Sequence, residues 1–535
     1  MADYIDLPVE GGSGAVDSVN GKTGVVVIKN NDISDSPVYV VSPSGGDDTT
    51  ALQTAITAVA AAGGGIVQLL AGTYHTSTEL DIGTTTNDLW IRGVGQQTIV
   101  SSTLTNNTYV FNFESNSSQD KNVGTIARDA TSVTTSTHSD ATAFTVGTPV
   151  LISGTDGDSY PRWEFNEVLT NGNGTTGVIA LKHKISWDLT SPVIRSWTTG
   201  LRNRFSDLKI IYASGAAHGC RFRYQLDGII ENIYSDGTTG SASRAIQISE
   251  SHRLKVRDCQ IRNHNVHEMQ PGDVGAYGMD ISTTYGSQFS RILLDNCGST
   301  SPDREALNLG ARFENVVLED IQILNPLTFG MVINGSTPSA NLKLRNIKIV
   351  NAQDKGMSSA LDTKDVIIEN CLFQGGHKID FDWQFLSKST FRGNQFINNT
   401  NPAGDETCVF RSGTSLVIAN NQFHDVKGGF FVPIGSKISF IGNQFFTITN
   451  DCFSMDHCSD INFIGNNAVS VKWGYISNTN NTDVVFSGNV FDTCSTAAII
   501  LDNTDSNHLL VGNAWRGETV TLGSGTNIND ISNMS

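Results

Sequence analysis

From Leu201 onward, short runs of alternating apolar and polar residues recur along the chain, and most of them end in an asparagine or aspartate. Early copies read Ile230-Glu231-Asn232, Val256-Arg257-Asp258, Leu318-Glu319-Asp320, Leu344-Arg345-Asn346 and Ile368-Glu369-Asn370. Later ones read Phe391-Arg392-Gly393-Asn394, Ile418-Ala419-Asn420-Asn421, Ile441-Gly442-Asn443, Ile464-Gly465-Asn466, Phe486-Ser487-Gly488-Asn489 and Val511-Gly512-Asn513. The spacing is about 22 to 27 residues, with one wider gap of about 37 between Asp258 and Asp295. Alternation is the periodicity of strands, and this repeat length fits a β-helix coil of three short strands, not a leucine-rich or helical repeat. Asparagine at one corner of every coil can stack as a hydrogen-bonded ladder and tolerates left-handed backbone angles, while Ile, Val and Phe fill the core. About 12 such coils, each rising about 4.8 Å, predict a rod on the order of 60 Å long.

Upstream the pattern changes. Asp47-Asp48-Thr49-Thr50 precedes a helical pattern with Leu52, Ala55, Ile56 and Val59 on one face, and Gly63-Gly64-Gly65 ends it. Asp48 or Thr49 is expected to accept the free amide hydrogens at the helix start. Such a helix serves as a lid, because the end of a solenoid otherwise exposes its apolar interior. Before it, Asn20-Gly21 between apolar stretches predicts a hairpin after a glycine-rich lead. Between Ser115 and Trp197 the repeat breaks into Thr- and Ser-rich stretches with strand-like pieces at Val178-Ile179-Ala180-Leu181 and around Trp187-Asp188, read as a β-rich insertion. The expected organisation is therefore an attachment or hinge segment (1–40), a capping helix with the first coils (41–114), the insertion (115–200), the β-helix body (201–517) and a polar C-terminal tail (518–535).

The string GDDTTALQTAITAVAAAGGGIVQLLAGTY from Gly46, followed by LWIRGVGQQTIV from Leu89, resembles the N-terminal coil of the pectate-lyase-like superfamily, with Leu70 where that superfamily usually has proline. The likeness continues in looser form to about Trp515. The string SVNGKTGVVV from Ser18 resembles a short motif of phage tail-fibre proteins. Together these identify the chain as similar to bacteriophage tailspikes and tail fibres of that superfamily. The resemblance implies an all-β fold, a right-handed single-stranded parallel β-helix. It also implies a homotrimeric virion receptor-binding protein, held on phage tail or baseplate proteins through residues 1–40, that meets bacterial surface polysaccharide and in some relatives depolymerises it. Two alternatives are a non-enzymatic adhesive or structural fibre, and a free-standing bacterial polysaccharide lyase or epimerase, which would need an export route.

Charge narrows the partners. The net charge of −18 disfavours nucleic acid and anionic membranes, which need clustered Lys and Arg. The N-terminus lacks the basic start and apolar run of a secretion signal, and no stretch is long enough to span a membrane. The expected location is the virion, after synthesis in the host cytoplasm. Eight scattered cysteines without CxxC pairs are expected as buried free thiols. No cofactor and no specific metal ligand set is predicted, and a divalent cation stays open.

Hydrolysis of a glycosidic bond needs two facing carboxyl groups. In Ile379-Asp380-Phe381-Asp382-Trp383, alternation puts the apolar side chains inside and Asp380 and Asp382 outside, their α-carbons about 6.6 Å apart. These are the candidate catalytic residues. Counting coils places Arg411 and Asp456 on the same outer face as substrate-binding candidates. His267 and Glu268, in the wide gap before Tyr277, are able to exchange protons near neutral pH. Arg162 and Trp163 of the insertion offer a guanidinium and a ring for a sugar. Each set also has a plain reading: solvated charges on a rod, an ordinary polar loop, and a turn pinned by ion pairs.

Overall fold

A left-handed corner every coil is what turns these short strands into a helix. The computed structural model describes residues 37–531 apart from 84–85, 105–107, 116–119, 158–160, 171, 213–217, 238–243, 267–276, 301–302, 335–338, 376–378, 400–406, 503, 517–518 and 522–527. The segment expected to form the N-terminal hairpin, and His267 and Glu268, lie outside the described residues.

Strands of successive coils pair in parallel and in register. On the first sheet Ile91 lies over Phe205, then Ile230, Val256, Phe289, Leu318, Leu344, Ile368, Phe391, Ile418, Phe440, Phe463, Phe486 and Leu510. Second and third sheets complete each coil, giving a parallel β-helix of about 17 turns, a rod on the order of 80 Å long. The sequence pattern found only about 12 turns because five lack its strand-plus-asparagine signature. Three of these start at Val38–Val41, Gly65–Leu69 and Leu89–Arg92, one at Arg204, and the last is Ile528–Ile531, which pairs with His508–Val511. The stretch expected as a polar tail thus contributes strands.

The corner asparagines divide into two kinds. Asn232, Asp258, Asp320, Asn346 and Asn370 take φ of 52–57° themselves, and their side chains form an outer ladder, as where Asn346 Nδ2 donates to Asp320 Oδ1 at 2.8 Å. From Gly393 on, glycine mostly takes the left-handed angle, and the residue behind the corner is a buried asparagine. Asn394, Asn421, Asn443, Asn466, Asn489 and Asn513 pass amide to carbonyl at 2.9–3.0 Å from coil to coil.

The core is one continuous apolar column from Val41 to Trp515. Identical residues one coil apart stack at the coil rise, as in Phe396–Phe423–Phe445 (4.6 and 4.9 Å) and Phe440–Phe463–Phe486 (5.0 and 4.8 Å). The helix Thr49–Ala61 closes the first coil with Leu52, Ala55, Ile56 and Val59 buried. Its first turn is capped by Asp47, which accepts from the Thr49 amide at 3.0 Å. Asp48 instead ties the lid to the rod, accepting from the Ser44 and His75 amides at 2.8 and 3.0 Å. Gly65 has φ 141°, and a Cβ there would lie 2.4 Å from the Pro37 carbonyl oxygen.

Between Glu114 and Arg204 the chain leaves the rod to build a six-stranded antiparallel sheet in the order Lys121–Asn122, Thr190–Ser196, Pro149–Thr155, Pro161–Thr170, Val178–Leu181, Ser132–Thr134. It has its own core, with Phe144, Val150, Ile152, Ile179 and Ile194 fully buried. The strand expected around Trp187-Asp188 lies slightly later, at Thr190–Ser196. No helix among the described residues is long and apolar enough to cross a membrane.

Candidate functional site

Alternation holds for Phe381 and Trp383, which are core, and for the outward direction of Asp382, but not for Asp380. Asp380 is 1% exposed. It precedes the strand's inward residue at a corner where Gly356 stands one coil before and Thr407 one coil after. A Cβ on Gly356 would touch the core ring of Phe373 at 3.1 Å, so this register faces inward. Burial pushes the Asp380 carboxyl up to about 7 against a hydrogen bond with Asn399. Asp382 does point away from the core, but it is clamped. Arg411 reaches it through Nε at 2.7 Å and a second nitrogen at 3.0 Å, and Lys355 Nζ at 2.6 Å. Burial pushes its carboxyl up, but the Arg411 and Lys355 hydrogen bonds prevail and hold it below the ordinary carboxylate value.

The structure thus joins Arg411 to Asp382 and separates both from Asp380 in role. Asp456 pairs with the neighbouring His457 Nδ1 at 2.7 Å and with Thr479 instead. Arg162 and Trp163 are buried at the seam between insertion and rod. Arg162 pairs with Asp156 at 2.8 Å and Glu314 at 3.3 Å, and Glu314 also accepts from the Trp163 amide at 2.8 Å. The Trp163 ring packs against His252 and Tyr285 and is 5% exposed, so its face is already covered. A cavity of about 270 Å³ borders this seam, where Arg195 is engaged by Asp120 at 2.7 Å and Glu250 at 3.1 Å.

A denser polar group sits higher on the third sheet, where sequence reasoning did not look. Its outer column runs Asn112, Arg221, Gln247, Asp280, Asn308 in five successive coils. Asp280 is the hub: it accepts from Asn308 Nδ2 at 2.8 Å, pairs with Arg244 at 3.2 Å and lies 3.4 Å from Gln247 Nε2. Arg244 and Arg304 lie over the Tyr277 ring at 5.4 and 5.9 Å, and Arg221 lies over Tyr109 at 5.4 Å. Tyr109 in turn donates its hydroxyl to Gln247.

Glu305 joins this group from the next coil. The short strand Asp303–Arg304 pairs antiparallel with Gly298–Thr300, and Thr328 Oγ1 donates to the Arg304 carbonyl at 2.8 Å, so the hairpin delivers Glu305 opposite Tyr277. Three residues along and one coil across put the Glu305 and Asp280 α-carbons at most about 11 Å apart. Glu305 is 4% exposed, and its Oε1 has no hydrogen-bond partner. Burial pushes its carboxyl up to about 7; its own backbone amide and Arg304 pull it down, and Asp280 adds to the push. An acid held protonated near neutrality beside an arginine-paired aspartate, with guanidinium, amide and phenol groups around them, is equipped to donate a proton to a polar, hydroxyl-rich substrate. The wide gap before Tyr277 was the sequence signal nearest to this site. Arg304-Glu305 carried none, because only the hairpin brings them there.

No protein-family profile matches the chain, and no curated protein matches it. Solved structures do. The tailspike gp61 of Pseudomonas phage phi297 is 12% identical, with 83% of this chain and 73% of that chain covered at a TM-score of 0.46. The Gp54 tailspike of Acinetobacter baumannii bacteriophage AP22, solved with a capsular saccharide, is 11% identical over 91% of this chain and 74% of that one, at 0.40. The catalytic unit of an α-1,3-glucanase from Streptomyces thermodiastaticus is 11% identical over 96% and 72%, at 0.38.

Proposed function

We propose that this chain is a phage tail fibre or tailspike that recognises bacterial surface polysaccharide and hydrolyses it at the Glu305–Asp280 site. The observation that supports the chemistry is Glu305, buried, unpartnered at Oε1 and with its carboxyl raised to about 7. In this reading Glu305 protonates the leaving glycosidic oxygen, while Asp280, oriented by Arg244 and Asn308, activates water or stabilises the developing positive charge. Arg221, Arg244 and Asn112 orient sugar hydroxyls or carboxylates along the same column. The virion role rests on the likeness of Ser18–Val27 to a tail-fibre motif, and attachment through residues 1–40 and a homotrimeric state belong to the same proposal.

The test is incubation with capsule and lipopolysaccharide of candidate hosts, following fragment size and absorbance near 235 nm. Shortening without absorbance is the expected result, and Glu305→Gln should slow it by roughly 10²–10⁴-fold at unchanged circular dichroism. Absorbance would replace hydrolysis by β-elimination. Binding without shortening, on a host the phage infects, would overturn the enzymatic reading and leave an adhesive fibre.

A further inference from the structure

The insertion sheet has two faces, and only one of them closes on its own core. Val150, Ile152 and Ile194 point into that core, whereas Leu151, Ser153, Val193 and Arg195, which alternate with them, face the rod. Opposite them stands the corner between the third and first sheets, where Glu250, Thr283 and Ala311 follow one another in successive coils with φ of 46, 53 and 62°. Below Thr283 the register slips by one residue, so that Ala311 and Arg312 together stand opposite Thr283. A bulge of this kind bends the chain locally and is over-represented next to active sites. Sheet and corner border the cavity of about 270 Å³, the space of roughly nine waters by their share of liquid volume and close to the bulk of one sugar ring.

The lining has one polar group to spare. His252 borders the cavity, is 2% exposed, and its Nδ1 has no hydrogen-bond partner, although buried polar atoms are normally paired. The rings of Trp163, Phe165 and Trp197 hold its imidazole in place from 5.5, 5.7 and 5.5 Å. Burial, with Arg195 and Arg253 beside it, lowers its pKa to about 3, so near neutrality the ring is uncharged and presents one N–H donor and one acceptor nitrogen. A hydroxyl, which both donates and accepts, is its complement. The charges around it balance: Arg195 and Arg312 face Asp120 and Glu250, and Arg195 is bound to both acids. A charged ligand would have to break those pairs, whereas an uncharged one leaves them intact. Leu151, Val193 and Ala311 supply an apolar wall for the carbon face of a sugar.

Position ties this cavity to the column described above. Gln247 precedes Glu250, Asp280 precedes Thr283 and Asn308 precedes Ala311 by three residues along their strands, a span of at most about 10 Å. The cavity therefore continues the Asp280 column sideways on the same coils, under the insertion. We propose that it is a subsite for one uncharged sugar unit, a branch or neighbour of the unit held at Glu305–Asp280, and that the insertion thereby selects which glycan is cut. The inference rests on the glycan reading of that site, because continuity with the Asp280 column is what brings a sugar to the cavity. It adds the charge class of the second unit and the residues that read it, His252 by hydrogen bonding and Ala311 by leaving room.

Two substitutions in the full chain separate sugar recognition from support of the fold. His252→Phe keeps a ring among Trp163, Phe165 and Trp197 and removes only the nitrogens. Ala311→Tyr fills the cavity from the rod side, at a left-handed angle that Tyr224 already takes (φ 54°). On a host polysaccharide that the wild type cuts, each should raise KM by roughly 10-fold at unchanged kcat and circular dichroism, the loss of binding shared by ground and transition states. Fragments that bind Glu305→Gln but not Glu305→Gln/Ala311→Tyr should carry an uncharged branch or end by mass spectrometry; an acidic one there overturns the charge assignment. Wild-type constants in both variants, with the polysaccharide still cut, overturn the subsite and leave the Glu305–Asp280 reading standing. A lowered kcat and melting temperature at unchanged KM would make the seam a structural joint only and overturn it as well. If the wild type neither binds nor cuts the glycan of a host the phage infects, both readings fall together.

Discussion

Asn443→Ala and Asn346→Ala remove the same residue type from the end of the same strand in two coils, and the structure predicts very different costs. Asn443 is fully buried. Its Oδ1 accepts from the Asn421 backbone amide at 3.0 Å and from Asn421 Nδ2 at 2.9 Å, and its Nδ2 donates to Asn466 Oδ1 at 2.9 Å and the Ile418 carbonyl at 3.0 Å. Truncation leaves two buried donors of Asn421, its backbone N–H and its Nδ2–H, without an acceptor at about 1–1.5 kcal/mol each, and the void adds about 1 kcal/mol, for about 3–4 kcal/mol in all. Asn346 is exposed and makes one side-chain bond to Asp320 at 2.8 Å. Alanine there meets a left-handed penalty of about 1 kcal/mol and loses a few tenths at the surface. A gap of about 2–3 kcal/mol corresponds to roughly a 30- to 150-fold difference in the folded-to-unfolded ratio, readable in guanidinium unfolding, or in unfolding rates if refolding is incomplete. Equal costs for the two variants, or a cost below about 1 kcal/mol for Asn443→Ala, would refute the idea that the buried ladder holds the lower rod.

Other consequences concern buried carboxyls. Burial raises Glu314 at the insertion seam from 4.5 to about 7 despite Trp163 and Arg162. The folded state therefore binds the proton more tightly than the unfolded chain. The contribution is fully present below about 4.5, is lost as pH rises to about 7 and is flat above, so Glu314→Gln should flatten the thermal midpoint over that window. Asp380 has the same sign: Asp380→Asn should raise the melting temperature at pH 8 and change little at pH 3, and an equal effect at both would contradict its burial as the cause. If Glu305 is the proton donor, turnover should fall as pH rises through about 7, measured as the rate of fragment formation.

The rod was legible because its period is local: one alternation, one corner, one core position, repeated. The lid helix was legible for the same reason, through Leu52, Ala55, Ile56 and Val59. What strand arithmetic missed lies at corners, where alternation stops. Asp380 is the second residue of its strand, Ile379–Arg392, at a corner position that faces inward in neighbouring coils too, so a two-residue period assigned it to solvent. The helix-start amide of Thr49 went to Asp47 where Asp48 or Thr49 was expected, because the fold turns the Asp48 carboxylate to the Ser44 and His75 amides. Coil counting placed Arg411 one coil from Asp382; register sets Val409 opposite Asp382, and the long Arg411 side chain closes the remaining gap. Glu305 depends on a hairpin that breaks register, and no pattern in the sequence announces it.

The Arg162–Glu314 pair spans 152 positions of chain. The insertion has its own core and closes locally during synthesis, whereas the coil it interrupts cannot stack until Arg204 emerges, and the clasp at the seam cannot close until Glu314 does. At about 5–20 residues per second, several seconds to half a minute separate synthesis of Arg162, until then held by Asp156 alone, from that of Glu314. The seam can therefore latch only after the chain through Glu314 has been synthesised, which ties closure of the insertion onto the rod to a coil made much later.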